Sequence, residues 1–140
     1  MHQHGHRRRK GNRSRMWDPK SRKWVVSARI ERFFEPAILL ALRDQPSHGY
    51  ELVEQLSDWG PEYAVDSGNL YRMLRALEHD GLVTSAWSDP AQGGARRTYR
   101  LEPKGRRVLD AWARSLNDTE SLLGRFRGDY EDPPDKGKKA

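Results

Sequence analysis

In the stretch DSGNLYRMLRALEHDGL, from Asp66 to Leu82, residue types and spacing combine in a way that points to chemistry. At 100° per residue, Asn69, Arg72, Arg75, Ala76 and His79 share one side of a helix, while Leu70, Met73, Leu74 and Leu77 share another. The leucines suit a core. The other side suits a polyanion: a guanidinium is a permanently charged fork of donors that fits phosphate and the guanine edge, and an amide such as Asn69 can pair bidentately with adenine. Tyr71 flanks this side, where its hydroxyl can donate to a phosphate or its ring can pack on a neighbouring hairpin.

A second basic group lies in RRTYRL, where strand alternation sends Arg96, Thr98 and Arg100 one way and Arg97, Tyr99 and Leu101 the other. The Gly-containing tip Gln92 to Ala95 beside Arg96, Arg97 and Arg100 favours contact with phosphates or a minor groove. His2, His4 and His6 alternate but have no thiolate or carboxylate partners, so no metal site is expected there. The chain has no cysteine, which removes disulfides, thiolate nucleophiles and cysteine zinc sites. No nucleophile paired with a base stands out, so neither an enzyme nor a cofactor is expected. The RGD at Arg127 to Asp129 would matter in an extracellular protein, and nothing else suggests one.

These side chains need a scaffold, and the net charge of +6 shows where it lies. Residues 1–29 hold ten Lys/Arg against one Asp, whereas residues 30–123 hold eleven against fifteen Asp/Glu. The first segment reads as a basic disordered arm, too polar to order itself, that would add affinity for nucleic acid without adding sequence preference. The acidic balance of the second means that any nucleic-acid contact there must come from a few grouped arginines. No apolar run could cross a bilayer, and none follows the basic N-terminus as in a secretory signal, so a cytoplasmic protein is expected.

Glu35 before Pro36, with Ile38, Leu39 and Leu42 at helical spacing, predicts a first helix ending near Gln45-Pro46. Ser47 is the expected cap of a second, with Tyr50, Leu52, Val53 and Leu56 as its apolar set and Gly60-Pro61 as its stop. Asp66 or Ser67 caps the third helix, which runs to Gly81. LVTSAW and RRTYRL, separated by turn residues, predict a hairpin over residues 82–101. Pro103 restarts a helix in which Leu109, Trp112, Leu116, Thr119, Leu123 and Phe126 recur at steps of three and four, the spacing of a seam. The polar ending from residue 127 reads as a tail.

Three helices followed by a hairpin is the order of a winged helix-turn-helix, a mainly α fold with a small β-hairpin, in which the third helix enters a major groove of double-stranded DNA. The expected organisation is an arm over 1–29, the winged helix over 30–102, a dimerisation helix over 103–126 and a tail over 127–140. With no other apolar surface available, Leu109, Trp112, Leu116 and Leu123 would make a homodimer, whose two recognition helices would read an inverted-repeat operator.

Three segments also carry a family likeness: ILLAL followed by HGYEL (Ile38 to Leu42, His48 to Leu52), GNLYRMLRALEHDGL (Gly68 to Leu82), and QGGARRTYRL (Gln92 to Leu101) followed by Gly105. In this order the chain resembles the PadR family of bacterial transcriptional regulators across about residues 33–115. The resemblance implies a cytoplasmic, homodimeric repressor that releases DNA when an effector binds, of the smaller branch with a single C-terminal helix. Trp112 would then fill the dimer interface or, with its copy, line a slot for a small aromatic effector. His48 and Gly49 belong to the match and read as structural. One departure is Glu102, where members often place Thr at the cap of the last helix. The alternative function is a winged-helix module that binds a protein partner; DNA binding would weaken steeply with salt, and a largely apolar protein interface would not.

Overall fold

A computed structural model describes residues 15–26, 33–88 and 96–133, which fall in two compact units, residues 1–32 and residues 33–140. The first unit contains an antiparallel hairpin of β1 (Arg15–Asp18) and β2 (Lys23–Val26), so the expectation of a disordered arm fails over residues 15–26. The reason is local. Trp17 and Trp24 are cross-strand partners whose rings meet edge to face at 5.5 Å, and Asp18 ties the turn by accepting from the Lys20 amide (3.0 Å), the Ser21 hydroxyl (2.7 Å) and, through its carbonyl, the Arg22 amide (2.9 Å). Arg22 takes the left-handed conformation that closes this turn (φ 55°). An average over composition hides two indoles placed in register. The rest of the arm, including His2, His4 and His6, lies outside the described residues.

The second unit runs α1 (Phe34–Asp44), β3 (Ser47–His48), α2 (Gly49–Ser57), a 3-10 turn Pro61–Tyr63, α3 (Ser67–His79), β4 (Val83–Trp87), β5 (Arg97–Leu101) and α4 (Pro103–Glu131). Its sheet has the order β3-β5-β4, all antiparallel. Strand β3 displaces the expected cap: Ser47 is buried opposite Tyr99, and the cap of α2 is His48, whose Nδ1 accepts from the Glu51 amide at 3.4 Å. Tyr50 leaves the predicted apolar set and is 70% exposed. The core joins Ile38, Leu39 and Leu42 of α1 and Leu52 and Leu56 of α2 to Leu70, Leu74 and Leu77 of α3, with Leu82, Val83, Tyr99 and Leu109 closing it.

Two glycines decide how the wing meets the helices. Gly81 (φ 76°) ends α3, with the Leu82 amide donating to the Leu77 carbonyl (2.9 Å) and its own amide to that of Glu78 (3.0 Å), which delivers the chain straight into β4. At Gly105 a Cβ would collide with the Leu82 carbonyl, so glycine lets α4 lie directly on the start of the wing. Glu102 occupies the N-cap of α4 without a side-chain cap bond; its amide donates to the Leu82 carbonyl (3.0 Å), and Pro103 at the first helical position has no amide to satisfy.

Helix α4 also corrects two expectations. It extends to Glu131, so the RGD of Arg127 to Asp129 lies within it, beside the i,i+4 pairs Arg125–Asp129 (4.0 Å) and Arg127–Glu131 (3.5 Å). Leu109, expected in a dimer interface, is already covered by its own chain, because α4 packs on α1 over its first turns. Further along, Leu116 is half-buried, whereas Leu123 and Phe126 are 52% and 69% exposed.

Candidate nucleic-acid interface

Helix α3 is presented as its two faces predict. Leu70, Leu74 and Leu77 are buried with Met73 beside them, and Asn69, Arg72, Arg75, Ala76 and His79 are all exposed. Its N-terminus is built by Asp66, one carboxylate oxygen of which accepts from the Asn69 amide (2.7 Å) and the other from Asn69 Nδ2 (3.0 Å). The Asn69 side chain is thereby held at the exposed start of the helix. Among the described residues Arg72 and Arg75 have no ion-pair partner, so both guanidinium groups present their donors to solvent.

Tyr71 takes neither of its two expected places outright. Its ring packs on Gly49 at the N-terminus of α2, where an added Cβ would sit 3.0 Å from the phenol, and the residue keeps 41% exposure. Together with His48, Glu51, Glu54 and Arg96 it lines an open groove of about 450 Å³. Arg96 Nη1 lies 3.4 Å from His48 Nε2, and that nitrogen in turn faces Glu51 Oε1 at 2.7 Å. Two carboxylates therefore border the groove, and the basic character of this surface rests on α3 and Arg96.

The three arginines of the second strand separate. Arg96 precedes β5 and is exposed beside α2. Arg97 turns inward: its Nε donates to Ser85 Oγ (2.7 Å), its Nη2 faces Glu78 Oε2 (3.5 Å), and its guanidinium stands over the rings of Trp87 (5.6 Å) and Tyr99 (5.9 Å). Ser85 Oγ donates to the Glu78 carboxylate at 2.7 Å, which completes a clamp between the wing and the back of α3. Arg100 is exposed at the other end of the strand, in a groove with Arg43, Pro46 and Arg106. Tyr99, the wing residue driven into the core, has its phenol pushed above the ordinary tyrosine range by burial; Arg97 and Arg75 oppose the shift, and Glu78 and Tyr71 add to it.

The expected tip contact of Gln92 to Ala95 lies outside the described residues. Sequence reasoning missed the roles of Glu78 and Ser85. Their only trace was a carboxylate on the helix and a hydroxyl on the strand, with no spacing that joins them. Trp112, read as interface or ligand wall, donates from Nε1 to Glu35 Oε2 at 2.6 Å and so ties α4 to the first turn of α1. Among the described residues no group of three or more His, Asp or Glu could hold a metal ion.

Residues 38–111 match the model of the transcriptional regulator PadR-like family. The chain belongs to this family. Transcriptional regulator Rv3488 of Mycobacterium tuberculosis is 41% identical over 88 residues, which cover 62% of this PadR-like chain and 79% of that protein. Among solved structures, the conserved protein TM0937, described as a potential transcriptional factor, is similar with a TM-score of 0.64 at 33% identity, covering 75% of this chain and 95% of its own. A PadR family regulator from Clostridium difficile R20291 shares the fold, with a TM-score of 0.63 at 23% identity over 69% of this chain and 99% of that one. Bacillus subtilis PadR, solved in complex with operator DNA, shares it with a TM-score of 0.53 at 22% identity over 61% and 48%. The architecture is the mainly α winged helix of these relatives, ending in the single long helix of this PadR-like chain.

Proposed function

We propose that this PadR-like chain is a cytoplasmic, sequence-specific repressor that binds double-stranded DNA as a homodimer, inserting α3 into the major groove and laying the wing on the backbone. The observation that carries the reading is the state of α3, where every leucine is buried while Asn69, Arg72, Arg75 and His79 stand exposed and, among the described residues, the two arginines have no acidic partner. Bacillus subtilis PadR, of the same fold, is seen on operator DNA. Arg72 and Arg75 read bases, Asn69 pairs with an adenine near the helix start, and Arg96 holds phosphate beside Tyr71. Arg97 acts by fixing the wing.

The dimer forms on the later part of α4. Leu122, Leu123, Phe126 and Tyr130 are between 52% and 79% exposed there, an apolar surface that a second copy would cover, with Leu116 at its inner edge. Two α3 helices then face one inverted repeat with half-sites about one helical turn apart. Trp112 lies between this surface and the DNA-binding domain. A planar aromatic effector bound against it would compete with the Trp112–Glu35 bond and so change how α4 is held to α1. No catalytic role is proposed.

The test is a binding titration of purified dimer on an operator recovered by selection and on random DNA. Arg72→Ala and Arg75→Ala should each lose roughly 1 to 3 kcal/mol of discrimination at particular base pairs, while Leu123→Glu should yield monomers by light scattering. Wild-type base preference in both arginine variants would turn the conclusion to a protein-binding winged helix.

A further inference from the structure

The hairpin Arg15–Val26 has no part in the function just proposed. Its strands cover little: Trp17, Trp24, Val25, Val26 and Met16 are between 46% and 66% exposed. A two-stranded hairpin without a covering layer is marginal in water, so this one gains from a partner. Charge selects that partner. Arg15, Lys20, Arg22 and Lys23 stand against Asp18 alone, whose carboxylate is occupied inside the turn by Ser21 and the Lys20 amide. These bonds favour the ionised form and hold the Asp18 carboxyl below its ordinary range, so its one negative charge stays engaged in the turn.

A second copy of the hairpin would set like charges together, and the other six Lys/Arg of residues 1–29 would add to the repulsion. A polyanion is favoured instead. The Trp17–Trp24 pair braces the strands, and the αL residue Arg22 gives the basic turn a fixed shape, which a flexible polycation lacks. We infer that this hairpin is a second DNA-binding element, with Lys20 and Arg22 of its turn and Lys23 at the start of β2 seated on the sugar-phosphate backbone of duplex DNA without base preference. The inference rests on the reading that the chain engages duplex DNA, and it adds a contact that the winged helix does not supply.

The experiment uses full-length protein in a salt series on two duplexes of equal length, the selected operator and a random sequence. Lys20→Gln with Lys23→Gln should weaken binding to both alike and flatten the slope of log affinity against log salt by about 2, near one unit for each lost phosphate contact. Trp17→Ala with Trp24→Ala keeps the formal charge and should also weaken binding to both. Wild-type affinity and slope in the lysine variant would overturn the proposal and leave the exposed strands to a protein partner. Lost affinity in the lysine variant with none lost in the tryptophan variant would overturn it as well, reducing the segment to an unstructured polycation. The α3 reading is judged separately, since Arg72→Ala with Arg75→Ala should abolish the preference for operator over random DNA while either hairpin variant preserves it.

Discussion

The hairpin Arg15–Val26 and the wing of β4 and β5 each pair two short antiparallel strands and carry tryptophan close to basic residues. In the wing, one face is inserted into a core through Val83 and Tyr99, a third strand pairs along β5, and Arg97 binds Glu78 and Ser85 from the same side. Among the described residues the N-terminal hairpin has none of these and is held by one cross-strand indole pair and one carboxylate in its turn. Pairing two strands does little by itself; what a hairpin covers sets how firmly it is held. The same difference separates the two hairpins, the wing being fixed to α3 by Arg97 and Ser85.

This contrast can be attacked from the strongest contact downward. Tyr99→Ala removes the ring that roots the wing and should cost about 3 to 5 kcal/mol in urea unfolding; a loss below 1 kcal/mol would mean that the wing is held no better than the other hairpin. Arg97→Ala should cost less, roughly 1 kcal/mol, because the guanidinium and Glu78 are both partly exposed and solvent screens their pairing. A double-mutant cycle with Glu78→Gln should show coupling between the two. Additive losses would break the clamp argument. Trp24→Ala should remove an edge-to-face pair worth about 0.5 to 1.5 kcal/mol, with amide exchange protection falling in Lys23–Val26; unchanged protection there would show that the indoles do not brace the strands.

The smallest effects concern pH, and they run in opposite directions. The Asp18 carboxyl is held low by its turn bonds, so its contribution is present above the ordinary aspartate pKa and is lost as pH falls through the lower folded value. The N-terminal hairpin should therefore loosen in acid. The Tyr99 phenol is held high by burial, so its contribution is present below the ordinary tyrosine pKa and is lost as pH rises through the higher folded value. The wing should loosen in alkali. Residue-resolved NMR of the strand amides across both ranges checks the two signs.

Much of this was legible from local signals. The periodic leucines predicted α1, α2 and α3, the cap of α3 was narrowed to Asp66 or Ser67, and Gly81 was a visible stop, because helix burial and capping operate within a turn or two of chain. The exposed row of Asn69, Arg72, Arg75 and His79 followed from the same 3.6-residue period. Contacts between segments were not legible. Ser47 looked like a cap because serine caps helices, and only the pairing of β3 with β5 turns it into a buried strand residue. Arg96, Arg97 and Arg100 looked alike in sequence, and the positions of α2, Glu78 and α4 decide that one faces outward beside His48, one clamps the wing and one joins Arg43 and Arg106. Leu109 and Leu123 shared a single seam, yet α1 covers the first and leaves the second open. A side chain's type and period are properties of its own segment, whereas its partner is set by the tertiary packing that brings another segment against it.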